Sequence, residues 1–170
     1  MTVASLIEEL FCVLEEETGC YKTLLDMADN KKDVIIRGDV PSLQEITKIE
    51  QELAGHILRL EKKRMNTLDD ICLVLNKNSE EITISKLVDI LLGEEKNQLR
   101  QMNENLIAIL SKLRQSNEIC TKLIQQSLEF IDFTVNAVQS TTSASMGNSY
   151  QAKGNRSDEF QGRNFFDAKQ

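Results

Sequence analysis

A single histidine, His56, occurs in 170 residues, so acid–base or metal chemistry must run through it or through carboxylates. Glu52 lies four residues before His56, on the same face of a helix, which makes a two-ligand metal corner geometrically available. No second His completes it, and no Glu-x-x-His pair of the di-iron bundle type occurs. Glu15-Glu16-Glu17 and Asp69-Asp70 are runs of carboxylates, but neighbours on a helix point to different faces, so such runs read as solvated. The sequence has no glycine-rich phosphate loop, no GxSxG and no Cys-His nucleophile motif. These residues point away from an enzyme: no catalytic set, cofactor or metal site is expected.

Charge and cysteine usage narrow the class further. The net charge is −7; residues 140–170 carry four basic and three acidic groups, so they sum to +1 and the rest of the chain to −8. A body of that sign disfavours nucleic acid, whose binding depends on Lys and Arg neutralising phosphates, and an anionic membrane face. Cys12, Cys20, Cys72 and Cys120 form no CxxC pair and lie in helical patterns, which reads as reduced, buried thiols. The N-terminus is acidic where a signal peptide is basic, and no apolar run reaches membrane length. A cytoplasmic protein without membrane insertion is expected.

The elements follow from apolar periodicity. Val3, Ile7, Leu10, Leu14, Tyr21, Leu24 and Ala28 set a four–three register for a helix over about 3–36, with Glu17 filling its one gap. Gly38 suits a helix stop, and Asp39-Val40-Pro41-Ser42 a start, with Ser42 and Glu45 at capping-box spacing. A second helix over 42–75 uses Ile46, Leu53, Ile57, Leu60, Leu68, Ile71 and Leu75; Arg64 interrupts it, with Glu61 in reach. Thr83 caps a short apolar helix over 85–92, ended by Gly93. The longest helix spans 94–139, its stripe read as Leu106, Leu110, Leu113, Cys120, Ile124, Leu128, Ile131, Val135 and Val138. The fold class is therefore all-α: an antiparallel bundle of three long helices plus one short helix over 1–139. A flexible polar tail, 140–170, follows; it contains no Leu, Ile or Val but holds Tyr150, Phe160, Phe165 and Phe166.

Surface, rather than catalysis, is where function is expected. Leu123, Ile124, Leu128, Phe130, Ile131, Phe133, Val135 and Val138 cover more of the helix than one bundle seam needs. Either the short helix and the first helix cover both sides, or the face receives an apolar partner helix. Residues 94–117 read as scaffold, and the apolar surplus begins at Ile119. The tail aromatics Tyr150, Phe165 and Phe166 serve recognition or dock back on the bundle.

The chain resembles the FlgN-type flagellar export chaperones. The likeness lies in Tyr21-Lys22-x-Leu24-Leu25, Lys31-Lys32, Gly38-Asp39-Val40-x-x-Leu43 and Glu50-x-x-Leu53. It continues through Leu60-Glu61-x-x-Arg64, Ile82-Thr83-Ile84, Tyr150-x-x-x-Gly154 and Phe165-Phe166-Asp167-Ala168-Lys169. The resemblance implies a cytoplasmic chaperone without ATP hydrolysis, serving type III secretion. It would bind the hook-associated proteins FlgK and FlgL, keep them from assembling early and escort them to the flagellar export gate. It also implies that clients are held by the C-terminal region; on the apolar pattern, Leu123, Ile124, Leu128, Phe130, Ile131, Val135 and Val138 are the client-binding residues. A coiled-coil module that self-associates through the last helix, as a homodimer, is the rival reading.

Overall fold

The computed structural model describes residues 2–76 and 83–146, side chains 142–146 excepted. Every element is helical: α1 (Val3–Arg37), α2 (Val40–Val74), α3 (Ile84–Ile90) and α4 (Gly93–Met146). The all-α expectation holds. The tail residues Tyr150, Phe160, Phe165 and Phe166, and most of the polar break before Thr83, lie outside the described residues. The chain divides into two units after Phe130.

The α1–α2 turn is built by two residues. Gly38 takes the left-handed conformation (φ 67°), where a Cβ would be strained, and its N–H donates to the Ile35 carbonyl at 3.0 Å. Asp39 then caps α2, accepting from the Ser42 N–H at 3.2 Å, with Pro41 in the first turn. The start expected at Ser42 is thus two residues late. Ser42 is no N-cap; its side chain donates to Asp39 Oδ2 at 2.6 Å.

Cross-helix ion pairs fix the direction of the hairpin. Lys31 meets Glu50 at 2.6 Å, Arg64 meets Glu17 at 3.1 Å and Lys63 meets Glu9 at 3.3 Å, so α2 descends as α1 ascends. At the far end from the turn, Leu6, Ile7, Leu10 and Leu14 of α1 pack with Ile71 of α2. Leu87 and Val88 of α3 and Leu99 and Leu106 of α4 join the same cluster. Burying each such side chain contributes roughly 1.5–3 kcal/mol, which is why the seven-residue α3 can persist. Further along, Ser116 donates to Asp29 at 2.9 Å and the Cys120 thiol to the Ala28 carbonyl at 3.4 Å, tying α4 to α1.

Two element ends differ from expectation. α3 stops at Ile90 rather than Leu92, because Leu91 turns extended (ψ 155°) and Gly93 opens α4 with φ 68°. α4 runs to Met146, past the end expected at Gln139. Its polar end is compatible with helix: Ser140 and Thr141 return hydrogen bonds to the Ala137 carbonyl at 2.8 and 3.2 Å, and no Gly intervenes before residue 147.

Candidate partner-binding surface

His56, Glu16 and Glu17 are engaged in holding α1 and α2 together. His56 Nε2 sits 3.0 Å from Glu16 Oε1 on α1, not against Glu52, and Arg59 Nη2 lies 3.4 Å from its Nδ1. Among the described residues no cluster of three or more His, Cys, Asp or Glu groups could hold a metal ion. Nor is any of their helices long and apolar enough to cross a membrane.

The carboxylate run on α1 is not a uniform solvated strip. Glu15 borders a polar groove of about 700 Å³ between α1 and α4, with Lys22, Gln98 and Asn105. Glu16 faces His56, and Glu17 is 2% exposed. Burial pushes the Glu17 carboxyl above its ordinary value of 4.5, and Arg64, bonded to it, offsets part of that rise. Arg64 also reaches Glu61 at 3.5 Å, as its spacing suggested. The Glu17 partner was missed, yet its signal was present. The one gap in the first helical seam and the one interruption in the second are opposite charges, brought level by the turn at Gly38.

The thiols divide as well. Cys72 and Cys120 are buried as expected, and burial raises both thiols above their ordinary 9.0. Cys20 is only half-buried, and Cys12, expected inside, is exposed on the outer side of α1. All four are free.

α4 carries the feature of interest. The stripe read as one from Leu106 to Val138 is two. Leu99, Leu106, Ile109, Ser116 and Cys120 are buried, and Met102, Leu113, Leu123 and Ser127 between and beyond them are partly so. That series alternates steps of three and four, one seam against α1–α3. Leu110, Ile124, Leu128, Ile131, Val135 and Val138 are exposed. Within the first unit, Leu110, Ile124 and Leu128 fall one residue out of phase with the seam, about 100° round the helix at each level. The two successive four-residue steps from Cys120 to Leu128 mark the change of face.

The client-binding residues expected from sequence fall accordingly. Leu123 is half-buried and belongs to the inner seam. Ile124 and Leu128 are exposed in the first unit, as is Phe130 at 70%; Ile131, Val135 and Val138 are exposed in the second, as is Phe133 at 71%. The suggestion that the short helix covers this surface fails: Ile84, Leu87, Val88 and Leu91 are buried in the cluster around Leu10 and Leu99 instead. Within the first unit, Ile124 also borders a groove of about 370 Å³ shared with Leu24, Ala54 and Cys120 and bounded by the Lys31–Glu50 pair. The described residues thus combine long helices, a buried ionic clasp and exposed aliphatic side chains along α4.

Residues 1–158 match the FlgN protein family, and the chain belongs to that family, the flagellar export chaperones. It is also similar to the uncharacterized protein YvyG of Bacillus subtilis (strain 168), 29% identical over 136 residues that cover 79% of each chain. No solved structure matches. Members of the family bind flagellar hook-associated proteins.

Proposed function

We propose that this protein is a cytoplasmic chaperone that holds FlgK- and FlgL-type hook-associated proteins on the outer stripe of α4, keeps them from assembling early and delivers them to the export gate. The observation that carries this reading is the run Ile124, Leu128, Ile131, Val135 and Val138, aliphatic at every position and exposed. An apolar stripe of that period is what an amphipathic helix docks against. In this reading the antiparallel arrangement of α1, α2 and the first half of α4, with α3 at one end, is scaffold. Residues 1–139 act as the bundle. The tail supplies further contacts through Tyr150, Phe165 and Phe166.

The rival is a coiled-coil module in which the same stripe pairs two copies of the chain; its alternating spacing is the feature in favour. Size-exclusion chromatography of the purified protein with a FlgK-type partner separates the two. A stable low-order complex, lost on deletion of residues 123–170 while the remaining helices stay folded, supports the chaperone. Self-oligomers that ignore the partner exclude it.

A further inference from the structure

The polar groove of about 700 Å³ between α1 and α4 takes no part in the reading above, and it lies wholly within the first unit. Glu15, Gly19 and Lys22 belong to one wall, Gln98, Gln101 and Asn105 to the other. Glu16 and Glu17, next along α1, are engaged with His56 and Arg64, but Glu15 and Lys22 make no ion pair among the described residues. Gln98, Gln101 and Asn105 likewise make no side-chain hydrogen bond among them. Gly19 keeps the groove open. It lies in the interior of α1 without a positive φ, and a Cβ there would meet nothing within 4 Å. Neither backbone nor packing therefore requires a glycine, a residue that weakens a helix interior relative to alanine. What it supplies is room.

We infer that this groove binds an extended segment of the partner polypeptide, about three residues long and carrying a lysine or arginine, through hydrogen bonds between Gln98, Gln101 and Asn105 and its main chain. The occupant follows from the chemistry of the walls. A side-chain amide both donates and accepts, as a peptide group does, so a row of amides can pair with main-chain N–H and C=O groups. An extended chain offers those groups along its length, whereas a helix satisfies them internally. A docking helix also needs an apolar strip, and among the described lining residues Met102 alone is apolar. The lengths agree. Glu15 to Lys22 and Gln98 to Asn105 each advance seven residues, about 10 Å of helix axis, and three extended residues span about 10 Å. Glu15 and Glu104 outweigh Lys22, which favours a basic side chain and disfavours the phosphates of a nucleic acid. Thr18 only shapes the wall, since its hydroxyl is already given to the Leu14 carbonyl at 2.6 Å. The inference rests on the chaperone reading: the partner is the hook-associated protein of that reading, held at a second place.

The test is calorimetric titration of the full chain with a FlgK-type hook-associated protein from the same bacterium. The wild type is expected to bind. Gly19→Phe, which fills the groove, and Gln101→Ala/Asn105→Ala, which removes two of its amides, are each expected to bind at least tenfold more weakly, with helicity unchanged by circular dichroism. Gly19→Ala, which adds one methyl group to open space, should stay within about threefold of wild type, so that a loss in Gly19→Phe reads as lost room. If Gly19→Phe loses helicity, the exposed pair Gln101→Ala/Asn105→Ala decides alone. Glu15→Gln/Glu104→Gln should weaken binding about threefold and flatten its dependence on salt; an unchanged salt dependence overturns the basic side chain. Wild-type affinity in Gln101→Ala/Asn105→Ala overturns main-chain recognition by the amides. Wild-type affinity in Gly19→Phe as well, with binding still lost in Leu128→Asp/Val135→Asp, overturns the whole inference and leaves the chaperone reading intact. No binding by the wild type overturns both.

Discussion

The two stripes of α4 show how one helix divides its labour. Both are rich in aliphatic residues at coiled-coil spacing, yet Leu99, Leu106 and Cys120 are buried while Leu128, Ile131 and Val138 are exposed. Composition does not separate them; phase does. A one-residue offset moves a side chain about 100°, from the seam against α1 to the outer face. Hydrophobicity at the inner stripe is held by packing inside the chain. At the outer stripe the aliphatic side chains face solvent, and the proposed function assigns that exposure to a partner.

The contrast predicts a graded set of effects. Leu99→Ala, at a site of 0% exposure, is expected to cost about 2–5 kcal/mol of unfolding free energy in urea titrations. A loss below 1 kcal/mol would mean the inner seam is not the core.

The buried clasp between α1 and α2 comes next. Glu17→Ala leaves Arg64 only partly compensated by Glu61 and is expected to cost about 2–4 kcal/mol, whereas Glu17→Leu/Arg64→Leu, which completes both seams, should be neutral or stabilising. If the double variant is as unstable as the single one, the pair is doing more than filling gaps in the seams. The same carboxyl gives a pH signature. Because its native value is raised above 4.5, the folded state holds the proton more tightly, so its contribution is full below 4.5 and is lost as pH rises through the native value. Glu17→Gln should remove that slope from stability measured against pH. Asp29 and Asp39 work in the opposite sense. Hydrogen bonds from Lys32 and Ser116, and from Ser42, lower them below 3.8, so their contributions are lost as pH falls.

Gly38→Ala, forced into φ 67°, should cost about 1 kcal/mol. Smallest of all, Leu128→Ser on the outer stripe should change stability by less than about 0.5 kcal/mol. A loss comparable to Leu99→Ala would show that the outer face is packed after all, and would erase the distinction between the stripes.

Much of this was legible in the sequence, for identifiable reasons. Local signals placed the helices: the register from Val3 to Ala28, Gly38, and Thr83, whose hydroxyl accepts from the Lys86 N–H at 3.4 Å. The Ser42–Glu45 spacing misled because Asp39, three residues earlier, competes for the same N–H and also satisfies Ser42 itself. What pattern alone could not supply was the choice of neighbour. Leu106 and Leu110 lie seven and three residues from Leu113, both in helical register with it, and only the placement of α1 and α3 puts one inside and the other out. Glu17 and Arg64 were likewise visible as irregularities, but their meeting depends on how the hairpin brings two distant seams level.

Amide hydrogen exchange along α4, with and without a bound FlgK-type hook-associated protein, tests the central claim most directly. In the free protein, amides of residues 99–120 should exchange slowly and those of 124–138 quickly, and binding should slow the latter at least tenfold. A complex that leaves 124–138 as fast as before would contradict the assignment of the outer stripe to the partner.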